Sequence, residues 1–401
     1  MINQKSIDIV KSTAPVLEEN GVLLTKYFYK RMFENNPEVL PFFNKANQEK
    51  GVQQDALAGA ICAYAKNIDN LDALSSAVQL ISHKHFSLKI KPEHYPIVGE
   101  NLLESIKDVL GDAATPDLID AWSEAYFFLA DIFINAEKSL EEESIKNFNG
   151  YSGFKKFEVV QKIKESEVIT SFILKPKDGR LPIFKAGQYI TVRVPSDETT
   201  TMRNYSLSAY GSSDSYRISV KKESKPNELI HEGYVSNFLH RNIKVGDFLD
   251  VGCPAGVFTL EEKSKKREVV FLAGGVGITP LLSMIHASLG EGSSFESIKL
   301  FHANKSEATQ AFKSEIGHLE LAHKNFKSTF IYETLQRETK SNEFLGFISE
   351  DILKDSINIE NSTFYICGPK NFMSAVIRIL RNIGIEEESI KFEFFGPLET
   401  L

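Results

Sequence analysis

Three glycines in four positions, Gly274, Gly275 and Gly277, follow the apolar run VVFLA and precede Thr279-Pro280. A tight glycine turn backed by a helix N-terminus offers N–H groups that suit a pyrophosphate. The stretch Gly274, Gly275, Val276, Gly277, Ile278, Thr279, Pro280 departs from G-x-G-x-x-G, and a plain structural turn competes for it. Cys367, Gly368 and Pro369 also end a strand-like run, where open sheets hold ligands. The competing reading there is a buried small residue at a strand end. Upstream, Arg203, Asn204, Tyr205 and Ser206 supply a cation for a pyrophosphate, an aromatic face for an isoalloxazine ring and a hydroxyl. Taken singly, Tyr205 reads as a barrel aromatic and Arg203 as a solvated charge.

Of nine histidines, His83, His85 and His94 fall in the first third of the chain. A lone helical histidine is usually structural, but the surroundings of His85 are unusual. Apolar VQLI precedes His83-Lys84-His85-Phe86, and Pro92, Tyr95 and Pro96 follow. Upstream lie Phe28-Tyr29, Phe42-Phe43, and Gln53 with Leu57, a pair spaced to share one helix face. A haem pocket needs one axial imidazole, an apolar wall and few polar groups on its gas-binding face. His83 reads as a packing or surface residue. His302, in the last third, reads either as structural or as a neighbour of the nucleotide.

These residues need elements to hold them. Residues 1–147 are rich in Leu, Ala, Glu and Lys with helical apolar spacing, as in Val22-Leu23-Tyr27-Phe28 and Ile61-Tyr64-Ala65-Ile68, and predict an all-helical unit. Its last helix is expected to run unbroken from Asp117 to Asn147. From Phe154 the runs FEVVQKI, ITSFILKP, QYITVRVP, YSLSAY and YRISVKK predict an antiparallel barrel or sandwich to about residue 262, with a short helix at Val235–His240. From Arg267, VVFLAGG, IKLFHAN, STFIYET and STFYICG alternate with helical LLSMIHASL, AFKSEIGHLELAH and MSAVIRILRNIG, which predicts a parallel sheet covered by helices. The expected division is 1–147, 151–264 and 265–401.

Composition narrows the function classes. The chain has 401 residues, too long for one core by default, and is 42% hydrophobic and 25% charged, so wholesale disorder is excluded. With 46 Lys and Arg against 54 Asp and Glu it carries −8, which does not favour a nucleic-acid surface. Cys62, Cys253 and Cys367 form no zinc spacing or disulfide framework, which fits a reducing compartment. MINQKSIDIVKSTAP lacks an apolar signal segment, so the expected location is cytoplasmic. Val269 to Gly290 has no charged residue and is long enough to span a bilayer. Its glycines and Pro280 read instead as strand, turn and a helix opening at Thr279-Pro280, with Thr279 as cap.

Together and in this order, GQY, RxYS, GxVSxxL, GGxGxTP and CGP resemble the ferredoxin-NADP reductase-like flavoprotein superfamily. That resemblance implies that Arg203, Asn204, Tyr205 and Ser206 bind FAD with Gln188 and Tyr189 nearby. It implies that Gly274 to Pro280 and Cys367 to Pro369 line the path of NADH or NADPH. Glu393, Phe394, Phe395, Gly396 and Pro397 would return a carboxylate and a ring to the flavin, with Phe395 over the face that hydride must reach. The first third resembles the globin domain of the flavohaemoglobins, and this likeness covers the whole chain. It implies haem b with His85 as the proximal iron ligand, Tyr29 and Gln53 on the distal side, Leu57 shaping it and Phe43 on the porphyrin. Tyr95 and Glu137 would be proximal hydrogen-bonding partners, and Lys84 and Glu393 would lie between haem and flavin. The segment at 221–232 carries more charge before Gly233 than the family pattern does and reads as a loop.

The implied architecture is an all-α globin, an antiparallel β-barrel FAD domain and an α/β open parallel-sheet NAD(P) domain. The implied activity is a nitric oxide dioxygenase, an NAD(P)H to FAD to haem electron relay that turns nitric oxide and O2 into nitrate. Its expected partners are those small molecules, without nucleic acid or membrane span, and the expected state is a monomer. NADH is the preferred donor, because no basic cluster is placed for a 2′-phosphate. The competing functions are an NAD(P)H-dependent haem or flavin oxidase or peroxide reductase, a haem oxygen or nitric oxide sensor, and a haemless flavin reductase.

Overall fold

The computed structural model describes residues 2–43, 48, 51–196, 199–223, 233–261 and 267–396. Most of the charged segment at 221–232, and Pro397, lie outside the described residues. The chain divides into two compact units. One is Met1–Phe154 with Arg193–Arg203 and Gly396–Thr400; the other is Lys155–Val192, Asn204–Phe395 and Leu401.

In the first unit, helices α1 (Gln4–Ser12), α2 (Ala14–Asn35), α3 (Val52–Asn67), α4 (Ser75–Leu88), α5 (His94–Leu110) and α6 (Pro116–Asn147) carry the expected helical region. On α2 the buried residues Leu17, Gly21, Leu24, Phe28 and Met32 recur at three- and four-residue steps and form one apolar stripe. Gly21 lets α3 approach, since a Cβ there would stand 3.2 Å from the Ala58 Cβ. Helix α6 starts where Thr115 accepts the Leu118 N–H at 3.3 Å and Pro116 takes the first helical position. It then runs unbroken, as expected.

From Lys155 onward the chain carries two sheets. Strands β1 (Lys155–Lys164), β2 (Ile169–Pro176), β3 (Tyr189–Pro195), β4 (Thr200–Ser206), β5 (Tyr216–Lys221) and β6 (Phe248–Val251) form a six-stranded sheet in the order β4-β3-β6-β1-β2-β5. The pairs β1–β2, β1–β6 and β2–β5 are antiparallel. Leu207, just past β4, bridges Ile218 of β5. The short expected helix is α7 (Tyr234–Arg241).

The other sheet takes β7 (Glu268–Gly274), β8 (Ser297–Asn304), β9 (Phe326–Tyr332), β10 (Glu343–Leu345), β11 (Ser362–Cys367) and β12 (Ile390–Glu393). Its order is β10-β9-β8-β7-β11-β12, and every neighbouring pair is parallel. Helices α8 (Ile278–Ser288), α9 (Lys313–Ala322), α10 (Glu350–Lys354) and α11 (Lys370–Asn382) alternate with these strands. The uncharged stretch from Val269 is therefore buried strand, turn and helix. Among the described residues no helix is long and apolar enough to cross a membrane. One expectation changes: α8 opens at Ile278, and Thr279 sits inside its first turn, its hydroxyl donating to the Val276 carbonyl at 3.0 Å rather than capping.

The chain lays β7, β8, β9 and β10 to one side and returns to place β11 on the other flank of β7. That reversal makes the carboxyl ends of β7 and β11 the switch point, the place where an open parallel sheet leaves a crevice.

Candidate functional site

His85 lies in the last turn of α4. Lys89 ends that helix at φ 60°, its N–H on the Phe86 carbonyl, and Ile90 donates to the His85 carbonyl at 3.0 Å. The stop lets α5 open at His94 with Tyr95 in its first turn. His85 Nδ1 lies 2.8 Å from Glu137 Oε1 and 3.0 Å from the Tyr95 hydroxyl. The Tyr95 hydroxyl donates to the same Glu137 oxygen. A carboxylate can only accept, so in the neutral ring Nδ1 carries the proton and Nε2 keeps its lone pair. No described residue bonds Nε2, and the His85 side chain is 31% exposed while Glu137 is 9% exposed. A ring held by its outer nitrogen, with the inner one bare, is what an axial ligand requires.

Tyr29, on α2, is 5% exposed, and its ring packs on Phe28, Phe33 and Phe43 at centroid distances of 4.9, 5.7 and 5.6 Å. Burial lifts its phenol above the ordinary range, and a hydrogen bond with Gln53 of α3 opposes this only in part. Tyr29 is thus a protonated donor at any working pH. Leu57, one turn past Gln53, packs against the same cluster. A bare imidazole nitrogen and an aromatic wall broken by two polar groups fit haem. Lys84 is exposed, and its Nζ donates to the Gly396 carbonyl at 3.2 Å.

The flavin candidates centre on β4. Alternation places Arg203 and Tyr205 on one face of the strand, each half-buried. Arg203 Nη1 donates to the Met202 carbonyl at 2.6 Å, Asn204 Oδ1 accepts the Thr191 hydroxyl at 2.8 Å, and Ser206 ends the strand buried. Gln188 shapes the turn before β3: its Oε1 accepts the Lys185 N–H at 2.9 Å and its Nε2 donates to the Gly256 carbonyl at 3.3 Å. The Tyr189 ring lies beside Gly256, where a Cβ would come within 3.0 Å of it. Beyond β12, Phe394 packs into the core while Phe395 is 47% exposed. A cation and a phenol on one strand face and an uncovered phenylalanine fit a flavin.

The two glycine motifs meet at the switch point. A Cβ on Gly277 would stand 2.1 Å from the Cys367 carbonyl oxygen, and one on Gly368 3.0 Å from the Gly274 Cα. A Cβ on Gly274 would meet Phe372 at 2.8 Å. Only glycine lets the turn after β7 and the turn after β11 touch. Gly275 differs: it takes φ +52°, a Cβ there would meet nothing within 4 Å, and it and Val276 are the half-buried residues of the turn. Pro369 is exposed, while Ile278, Thr279 and Pro280 are buried. Cys367 stands in register between Ala273 and Glu393. Burial, and then the Glu393 carboxylate, push its thiol well above its usual range, so it is an inert wall. The turn fits a dinucleotide.

Sequence reading missed one cluster. Glu315, on α9, accepts from Arg217 of β5 at 2.7 and 2.9 Å and lies 2.7 Å from His286 Nε2 of α8. Burial would raise the Glu315 carboxyl, but His286 and Arg217 hold it at about 2. The clamp ties the antiparallel sheet to the helix behind the glycine turn. Arg217 and Glu315 are 98 residues apart, and nothing local marks them.

Three protein families match consecutive parts of the chain: globin over residues 26–132, an oxidoreductase FAD-binding domain over 156–260, and an oxidoreductase NAD-binding domain over 271–378. A flavohemoprotein from Rhodopirellula baltica is 46% identical over 407 aligned positions, covering 100% of this chain and 99% of the relative. Among solved structures, a flavohemoglobin from Malassezia yamatoensis with bound FAD and heme is 27% identical at a TM-score of 0.85, covering 98% of this chain and 100% of that one. The flavohem-like FAD/NAD-binding domain of nitric oxide dioxygenase from Vibrio cholerae is 31% identical at a TM-score of 0.54, covering 61% of this chain and 100% of that one.

Proposed function

The chain belongs to the flavohemoprotein family, and from that premise we propose that it is an NAD(P)H-dependent nitric oxide dioxygenase converting nitric oxide and O2 to nitrate. The observation that carries this reading is His85, its Nδ1 engaged by the buried Glu137 and its Nε2 bare, in one chain with the switch-point crevice of two glycine motifs.

When bound, FAD splits the two-electron hydride of a nicotinamide into single electrons, and haem supplies the centre at which oxygen and nitric oxide react. Each remaining task falls to side chains of the chain. His85 would hold the haem iron through Nε2. Glu137, holding the Nδ1 proton with help from Tyr95, makes the imidazole a stronger donor. Phe43 and Leu57 would exclude water from the distal side. Tyr29, kept protonated by burial and oriented by Gln53, would donate to oxygen where negative charge develops. Arg203 and Tyr205, with Asn204, Ser206, Gln188 and Tyr189, would hold FAD. Phe394 anchors the chain end so that Phe395 would cover the flavin. Gly274 to Pro280 and Cys367 to Pro369 would cradle the dinucleotide.

The domains would run 1–147, 151–264 and 265–401. The Leu207–Ile218 bridge links the two edge strands of the antiparallel sheet and supports reading it as a closed barrel. A cytoplasmic monomer using NADH is the form consistent with three cysteines outside any disulfide and no basic cluster placed for a 2′-phosphate. The test is nitrate formed per NADH oxidised, with and without nitric oxide. The expected result is two nitrates per NADH when nitric oxide is present, since each NADH carries two electrons and each nitric oxide consumes one. NADH oxidation that ignores nitric oxide and yields no nitrate would replace this reading with an oxidase or peroxide reductase.

A further inference from the structure

His302 stands in the middle of β8, paired in register with Ala273 of β7 on one side and Phe330 of β9 on the other. It is fully buried in a sheet whose neighbouring positions are apolar. Its Nε2 lies 3.1 Å from the Gly275 carbonyl oxygen. A carbonyl only accepts, so Nε2 carries the proton. Burial, opposed in part by that same bond, pushes the imidazole down to about 4, so the ring is neutral and Nδ1 is a bare acceptor. Nδ1 has no hydrogen-bond partner among the described residues. A buried acceptor left unpaired is unfavourable, and an aliphatic side chain would avoid it. The donor at Nε2 therefore needs a reason, and its partner among the described residues is the Gly275 carbonyl.

Gly275 is the left-handed residue of the turn, at φ +52°, with open space on the side where a Cβ would project. Its carbonyl also accepts the N–H of Ile278, the first residue of α8. Two donors thus hold one carbonyl from β8 and from the helix start. Across a trans peptide the C=O and the next N–H point in opposite directions. Drawing the Gly275 carbonyl toward β8 turns the Val276 N–H away from it. Glycine at this position removes the steric barrier to other peptide orientations, so something must select one.

We infer that His302 is a positioning residue for the nicotinamide dinucleotide: its Nε2–H fixes the Gly275–Val276 peptide so that the turn presents its N–H groups to the pyrophosphate. The inference rests on the reading of this turn as the dinucleotide site. A residue that only fills the core would alter stability; one that orients the turn alters dinucleotide affinity.

The test compares His302→Gln, which keeps a donor at the reach of Nε2, with His302→Met, of equal length and no donor, and with His302→Phe. Full-length holoenzyme is used, with NAD+ affinity measured by calorimetry and KM and kcat for NADH measured with ferricyanide as acceptor. Loss of one hydrogen bond predicts NAD+ binding weakened about fivefold to tenfold in the Met and Phe variants. KM for NADH should rise in parallel with kcat within about twofold, and the Gln variant should stay within about twofold of the parent. If Phe does not fold, the Gln and Met pair decides. Equal affinity in Gln and Met, or a fall in kcat with KM unchanged, overturns the inference. Failure of the parent protein to bind NAD+ at all would instead overturn the dinucleotide reading beneath it.

Discussion

Replacing His85 with alanine should abolish nitric oxide consumption while NADH-driven reduction of an artificial acceptor continues. The substitution removes the bare Nε2 and leaves the Tyr95 hydroxyl bonded to the Glu137 carboxylate. At such centres even the loss of an outer hydrogen-bonding partner costs about 10–100-fold in affinity or activity, so loss of the ligand itself should exceed about 100-fold. The hydrophobic clusters that pack the parallel sheet contain no residue of the helical unit and do not depend on this side chain. The assay is nitric oxide loss beside ferricyanide reduction on one preparation, with the haem-to-protein ratio from absorbance. Retained haem with full nitric oxide consumption would refute the axial assignment.

Replacing Tyr29 with phenylalanine should leave the pocket packed but let oxygen escape faster. Phe28, Phe33 and Phe43 surround the ring, so a phenylalanine keeps their contacts and only the hydroxyl is lost. A hydrogen bond to a developing negative charge in a dry site is worth about 1.5–3 kcal/mol, which is about 10–100-fold in dissociation rate. Turnover should fall accordingly at low oxygen. Flash photolysis or stopped-flow mixing reads the dissociation rate directly. An unchanged rate would remove Tyr29 from that role and leave Gln53 as the distal donor.

Much of this was legible in the sequence because the features are local. A three-glycine turn between an apolar strand and a helix can be read within ten residues, and short runs rich in β-branched and aromatic residues mark β1, β2 and β3 just as plainly. What stayed hidden depends on distance or brevity. β10 is three residues, Glu343 to Leu345, too short for a period and held by pairing with β9 and by the Lys313 and Arg337 bonds to Glu343. Glu137 lies 52 residues from His85, and no spacing links them. A faint signal exists, since Glu137 falls on the stripe of α6 that otherwise buries Trp122, Ala130 and Phe133. An acid on a buried stripe implies a partner without naming it. The Glu315 clamp gave no signal, because Arg217 and His286 come from different sheets and helices. Thr279 looked like a cap because Thr before Pro is a common helix start; the preceding turn of Gly275–Gly277 opened the helix earlier instead.

The most direct test of the account is the absorption spectrum of the purified full-length protein before and after anaerobic addition of NADH. The expected result is a Soret band together with flavin absorbance, bleaching of the flavin on NADH addition, and a shift of the Soret band to its ferrous position. A protein that shows no Soret band after reconstitution with haem, or whose flavin bleaches while the Soret band stays in place, would contradict it.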